Sequence, residues 1–292
     1  MNTVVVGIGE ALWDVLPEGK KIGGAPANFA YHVSQFGLSS CVVSAVGNDP
    51  LGEEIVANFN EKGLNQLIEK VSFPTGTVQI EVDEAGVPQY EIKENVAWDN
   101  IPYTTSLEQL AQHTKAACFG SLAQRSEVSR TTIQRFLEAI PEANNPLIIF
   151  DINLRQHFYN EEILCDSLKR CNILKINDEE LITVSQMFGL PDIDLQGKCR
   201  LLLEKYDLEM LILTCGTNGS YVFTPDDFSF QKTPMVEVAD TVGAGDSFTA
   251  AFISSVIQGK SVSEAHKTAV EVSAYVCTQN GAMPLLPEKY TK

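Results

Sequence analysis

Short apolar runs alternating with amphipathic stretches set the pattern of this chain. Val4 to Ile8 is continuously apolar, as in a strand buried on both faces, and Ala11 to Leu16 is a second extended piece. Gly23-Gly24-Ala25-Pro26 interrupts the pattern, and Ala27 to Phe36 has helical spacing. Pro26 suits a first helical turn, where its missing N–H costs nothing, and Gly37 suits the end. Cys41 to Val46 is predicted as a strand and Gly52 to Lys62 as an amphipathic helix. Thr77 to Asp83 then alternates strictly, Glu84-Ala85-Gly86-Val87 makes a turn, and Gln89 to Val96 returns extended. That is an antiparallel hairpin with one wet face.

After Pro102 the chain resumes its first rhythm. Strands are predicted at 116–119, 147–151, 173–176, 210–213 and 221–224, and helices at 127–139, 178–187, 195–205, 245–257 and 262–278. Strands separated by helices imply an α/β fold, with a mostly parallel central sheet covered on both faces. The expectation is one domain over residues 1–292, with a small inserted β-sheet lid from about 11–23 and 74–100.

Composition narrows the class. The 292 residues are 44% apolar, enough for a large core and too many for a disordered chain. The formal charge of −17 argues against a nucleic-acid or anionic-membrane surface, which needs clustered cations. Seven cysteines, odd in number and without a CxxC pair, read as reduced thiols. No leader pattern and no apolar run near the ~20 residues of a membrane span is present, so a cytoplasmic location is expected.

Ligands of open parallel sheets sit beyond the carboxyl ends of strands, where helix N-termini offer unpaired N–H groups. The strongest such joint is Asp240-Thr241-Val242-Gly243-Ala244-Gly245-Asp246-Ser247-Phe248. Gly243 and Gly245 let the backbone approach a ligand, and the helix behind them makes an anion hole. Asp246, beside that hole, would repel a bound anion, and general-base work on an attacking hydroxyl accounts for it. A first-turn helix cap accounts for the same residue. No GxxxxGK[ST] loop is present, and Gly7-Ile8-Gly9 lacks the third glycine of a dinucleotide fingerprint, having Leu12 there.

Asp240 to Asp246 (DTVGAGD) closely resembles the C-terminal signature of the PfkB, or ribokinase-like, carbohydrate kinases. Gly23-Gly24-Ala25-Pro26-Ala27-Asn28 resembles their N-terminal GGxxxN signature. The resemblance covers nearly the whole chain. Residues 9–14 (GEALWD), GGAPAN and Asp151-Ile152-Asn153-Leu154-Arg155 are most similar to the fructokinase branch. It implies a ribokinase-like three-layer sandwich and ATP-dependent, Mg²⁺-assisted phosphorylation of a small neutral sugar, fructose to fructose 6-phosphate first.

By the same resemblance Asp246 is the base, Gly243, Ala244 and Gly245 form the anion hole, and Arg155 clamps the phosphoryl group. Asp14, Gly23, Gly24 and Asn28 would hold the sugar. Trp98 is a candidate wall of that pocket, against the ordinary reading of a packed tryptophan. Asn177 and Glu180 match the NxxE element, with Glu180 reaching Mg²⁺ through water. Their plainer reading is a helix N-cap with first-turn acids. Thr214, Gly216, Thr217 and Gly219 match the nucleotide loop, or an ordinary hairpin turn. Asp240, Val242, Val276, Gln279, Gly281 and Leu285 match positions that hold a monovalent cation such as K⁺. The family's lid pairing admits a homodimer, and exposed edges of an inserted sheet would invite it.

Alternatives within the family are a kinase for another sugar, a sugar acid or a nucleoside. The alternative from another class is a non-catalytic sugar- or nucleotide-binding protein on the same fold.

Overall fold

The computed structural model describes residues 3–16, 19–82 and 88–291, so the turn expected at 84–87 lies outside the described residues. The amino-terminal half contains β1 (Val4–Ile8), β2 (Leu12–Leu16), β3 (Gly19–Gly23), α1 (Ala25–Gln35), β4 (Ser40–Gly47), α2 (Pro50–Glu61), β5 (Asn65–Val71), β6 (Gly76–Val82), β7 (Pro88–Ile92), α3 (Thr105–Ala111), β8 (Thr114–Phe119) and α4 (Glu127–Glu138). The remainder contains β9 (Leu147–Asp151), α5 (Glu161–Arg170), β10 (Ile173–Asn177), α6 (Asp178–Met187), α7 (Leu195–Lys205), β11 (Met210–Thr214), β12 (Ser220–Phe223), β13 (Phe228–Gln231), α8 (Ala244–Ile257), α9 (Val262–Cys277) and α10 (Glu288–Thr291).

A nine-stranded sheet has the order β13-β12-β11-β10-β9-β8-β1-β4-β5. From β11 to β5 every neighbouring pair is parallel, while β12 and β13 turn back antiparallel at one edge. Alternation within the apolar strands feeds two cores. Val5, Ile149, Ile173 and Ile212 pack with Phe29 of α1 and Phe252 of α8. Their neighbours Val6, Phe150, Leu174 and Leu213 pack on the other face with Phe136, Leu164, Leu181 and Leu202. A strand with both faces covered has no polar positions to alternate with, which is why these runs read as continuously apolar.

A separate four-stranded sheet has the order β3-β2-β6-β7, with β2 and β6 parallel and the outer pairs antiparallel. It is assembled from the two segments read as a lid, and Gly23 leads straight from β3 into α1 of the main layer. The seven cysteines are free thiols. Among the described residues no helix is long and apolar enough to cross a membrane.

Candidate active site

Helix α8 points its N-terminus at the carboxyl edge of the large sheet. Its residues Ser247 to Ser255 are buried, so the helix is fixed by packing along most of its length. Gly243 caps it at φ 79°, and a Cβ there would stand 2.7 Å from Ala282, so only glycine fits. The Ala244 N–H turns to the Thr241 carbonyl at 3.3 Å. The first-turn N–H groups of Gly245 and Asp246 have no helical carbonyl to reach and remain the anion-directed donors.

Asp246 is half-buried and accepts a hydrogen bond from Asn28 Nδ2 at 2.8 Å on Oδ2, across 218 residues of sequence. The two signatures therefore meet at one carboxylate. Burial pushes Asp246 up to about 6, and the Asp151 carboxylate pushes the same way; the Asn28 donor, Lys175 and Arg155 pull it down. Asn28 itself is buried, and its Oδ1 has no partner among the described residues.

The glycine pair before Asn28 does two separate jobs. A Cβ on Gly23 would lie 2.4 Å from Asp14 Oδ2, so its absence makes room for that carboxylate. Gly24, at φ 112°, crosses so close to residue 10 that a Cβ would stand 2.3 Å from the Glu10 carbonyl. Asp14 is raised to about 6 by burial, with Arg155 and Lys21 opposing. Arg155 is exposed, yet its charge acts on Asp14, Asp246 and Glu10 alike, so it is the cation these three acids share.

Glu10 was not legible as a site residue. Its carboxyl is buried, raised to about 7 by desolvation, and its Oε2 has no partner among the described residues. The signal was a lone acid at the carboxyl end of an apolar strand, where nothing local requires a charge.

Asn177 and Thr214 are register partners at the ends of β10 and β11. Glu180 closes a capping box: its Oε2 accepts the Asn177 N–H at 2.9 Å, and Asn177 Oδ1 accepts the Glu180 N–H at 2.8 Å. Its Oε1 accepts the Leu154 N–H at 3.0 Å, fastening the loop that carries Arg155. Glu180 is thus part of the helix cap that the plainer reading expected, and it also fixes the loop after β9. Among the described residues no three His, Cys, Asp or Glu side chains cluster to hold a metal. A Mg²⁺ here fits only as an ion held mostly by phosphate and water, with Glu180 reaching it through water.

Gly216 and Gly219 bracket a tight turn containing Thr217 between β11 and β12, with φ of 52° and 100°. The segment expected as the nucleotide loop is thus a tight hairpin turn.

In the loop expected to hold a monovalent cation, the Asp240 carboxylate is taken up by local donors. Asp240 accepts from Val242 N (3.0 Å), Gly281 N (3.2 Å) and Lys21 Nζ (3.3 Å). The carbonyl of Val276 takes the Gln279 N–H at 2.9 Å, and that of Leu285 takes the Tyr275 hydroxyl at 3.2 Å. These donors meet the Asp240 carboxylate, so a cation in this loop would be held by main-chain carbonyls rather than by that side chain. Trp98 is 1% exposed, set in the core with the Arg125 guanidinium 4.1 Å from its ring. It supports the second sheet rather than presenting a face to the cleft.

Comparison with known proteins gives a family, two sequence relatives and a structural neighbour. The family model described as pfkB family carbohydrate kinase matches residues 17–289. A fructokinase of Salmonella typhimurium is 28% identical over 308 residues, covering 98% of this chain and 97% of that protein. An ATP-dependent 6-phosphofructokinase of Thermoanaerobacterium thermosaccharolyticum is 26% identical over 275 residues, covering 92% and 83%. The crystal structure of a fructokinase with bound ATP from Xylella fastidiosa superposes with a TM-score of 0.85 at 20% identity, covering 98% of this chain and 96% of that one. The last of these fixes the architecture as ribokinase-like.

Proposed function

The chain belongs to the pfkB family of carbohydrate kinases and is a phosphotransferase acting on a sugar hydroxyl; from that premise we propose that it phosphorylates a small neutral sugar with ATP, fructose at its 6-hydroxyl first. The observation carrying this reading is the 2.8 Å contact between Asn28 and Asp246, which puts a sugar-binding amide and a basic carboxylate at one point.

Asn28 holds Oδ2 of Asp246, leaving Oδ1 to take the proton of the acceptor hydroxyl. As the O–H bond breaks, the sugar oxygen bonds to the γ-phosphorus and the bond to the departing ADP oxygen breaks. The N–H groups of Gly245 and Asp246 and the guanidinium of Arg155 face the charge that spreads over the phosphoryl oxygens. When bound, ATP supplies the electrophilic phosphorus and Mg²⁺ neutralises its phosphates. Asp14 and Asn28 orient the sugar. K⁺, when bound, would be held by carbonyls of the loop around Asp240 and Val242, beside a carboxylate that the Lys21 ammonium already reaches.

A neutral acceptor is favoured by the local charge. Glu10, Asp14 and Asp246 converge on the cleft, and the nearby lysines are engaged elsewhere, Lys20 by Glu54 and Lys21 by Asp240. A second phosphate or carboxylate on the acceptor would meet three acids and one shared arginine.

The test is ADP release across a panel of neutral sugars, sugar acids, sugar phosphates and nucleosides. Release with fructose, and little without any acceptor, is expected, because water must be excluded before the base is exposed to ATP. Release with fructose 6-phosphate but not fructose would move the assignment to a sugar-phosphate kinase. No release with any acceptor would favour a binding protein.

The base also sets a pH dependence. Asp246 works deprotonated, so kcat should rise through a midpoint near 6. In Asn28→Ala the donor that favours the carboxylate is gone, so the midpoint should move upward and the sugar KM should increase. A profile unchanged in the variant would separate Asn28 from the base.

A further inference from the structure

Lys175 is a charged residue in a strand whose neighbours are all apolar. It is 8% exposed and lies opposite Asp151 in the β10–β9 register, with Nζ 3.0 Å from Asp151 Oδ1. The other oxygen of Asp151, itself 5% exposed, accepts from Thr249 Oγ1 at 3.2 Å. That hydroxyl also reaches the Gly245 carbonyl at 3.0 Å, one turn back on α8. A Cβ on Gly245 would stand 2.9 Å from Lys175 Nζ. The second glycine of GAGD is therefore shaped by a buried ammonium beneath it. A cavity of about 10 Å³ borders both Asp151 and Asp246.

A buried ion pair contributes little net stability, because desolvation offsets its attraction. Two apolar side chains would serve the sheet equally well, so the pair calls for another role.

We infer that Lys175 and Asp151 form a positioning unit for phosphoryl transfer: Asp151, seated between Lys175 and Thr249, fixes the first turn of α8 and holds the Asp246 carboxylate poised to take the acceptor's proton. This rests on the kinase reading above. The groups facing Asp246 are Asn28 from α1, Asp151 from β9, Lys175 from β10, Arg155 from the loop after β9, and Glu10 from the end of β1. Of the charged ones, Asp151 exerts the largest effect and raises the proton affinity of Asp246. The hydrogen bonds of Lys175 and Asp151 run to each other and to Thr249, not to Asp14 or Asn28, so both act through Asp246 and the helix turn.

The decisive variant is Asp151→Asn. It keeps the shape and a partner for Thr249, leaves Lys175 near Glu180, and removes one charge. The midpoint of the kcat profile should move down by about half a unit or more, with the sugar KM within about twofold and kcat reduced as the base weakens. A pair that merely holds the sheet together would lower the melting temperature and leave the midpoint in place, which would overturn the inference. Because a lone change can damage folding, a second variant, Lys175→Met with Asp151→Asn, replaces the pair by neutral groups. It should fold and lose roughly tenfold or more in kcat at near-parental KM values, as misplacement of a base does. Parental kcat in that double variant would also overturn the inference.

If the parental protein phosphorylates no sugar, the kinase reading fails separately. The pair is then read directly from the ¹³C carboxyl titration of Asp246, assigned by its loss in Asp246→Asn. A downward shift in Asp151→Asn supports the inference, and an unmoved midpoint overturns it.

Discussion

Asp246→Asn should lower kcat by about 10²–10⁴ while leaving sugar and ATP affinity within a few-fold of the parental protein. The amide keeps the shape of the carboxylate and can still present an oxygen to Asn28 Nδ2, so the link between the two signatures survives. What disappears is the ability to take a proton. Calorimetric titration with sugar and with ATP, beside steady-state kinetics, separates the two effects. Near-parental turnover in a protein that binds both ligands would remove Asp246 as the base. A loss of binding equal to the loss of rate would assign it to positioning instead.

The same variant should be more stable than its parent at neutral pH. An acid whose folded-state value is raised favours the protonated fold, so its contribution works against stability once it ionises. For Asp246 the window runs from the ordinary value of 3.8 to about 6: the cost is absent below it, grows as pH rises through it, and is complete above it. A rise of about two units corresponds to ~3 kcal/mol at most, and partial exposure brings this to about 1–2 kcal/mol. Thermal melts at pH 7 should show Asp246→Asn a few degrees above the parent, with the gap closing toward pH 4. Glu10 and Asp14 are raised in the same direction, so the free enzyme holds three acids at a stability cost. This is the expected signature of a site built for a ligand rather than for the fold.

The central strands were legible in the sequence because an apolar run of five or six residues between helices has to be buried on both faces. Gly-Ala-Gly-Asp at a helix start also reads as a first-turn cap, and the two signatures were legible through their resemblance to a known family. The missed elements lacked such patterns. Strand β3 (GKKIG) carries two lysines, whose charges go to Glu54 and Asp240, contacts that no local rule foresees. Strand β5 lies at the sheet edge with mostly half-buried residues, and β13 is another edge with alternate exposure. Helix α5 follows an irregular loop, and its signals, the Asn160 cap, the first-turn acids Glu161 and Glu162 and the last-turn Lys169 and Arg170, were present in the sequence but passed over. At the site, Asn28 and Asp246 were recognisable from their motifs. Glu10, Lys175 and the Arg125–Asp99 pair were not, because a buried charge is defined by partners distant in sequence. The ammonium at Asp240 was hidden for the same reason: it comes from Lys21, more than two hundred residues earlier.

Arg125→Met should cost the fold about 3–5 kcal/mol, because it strands a buried carboxylate. Arg125 and Asp99 are 7% and 6% exposed and meet in a fork, Nε to Oδ1 at 2.8 Å and Nη2 to Oδ2 at 2.9 Å. The guanidinium is sandwiched between the rings of Trp98 and Phe158, at 4.1 and 4.4 Å, and donates to the Lys93 carbonyl at 2.6 Å. One side chain thus joins the foot of β7, the turn at Ala97–Asn100 and the loop that continues from Arg155 to Phe158. Methionine retains the length and apolar stem but leaves Asp99 buried and uncompensated, with only the Val96 N–H at 3.2 Å still directed at it. Lysine cannot reproduce the planar fork or the double stacking, so Arg125→Lys should recover little. Adding Asp99→Asn to Arg125→Met removes the stranded charge and should return part of the loss, giving a coupling energy in a double-mutant cycle. Denaturant unfolding of the four proteins measures all of these terms. A single-variant loss under about 1 kcal/mol would mean that Asp99 finds water when its partner is gone, and that the root of the second sheet is looser than its packing implies. If the loss is as large as argued, the sugar KM of the surviving folded variant should rise too, since Asp14 on β2 takes its place from the sheet that Arg125 fastens.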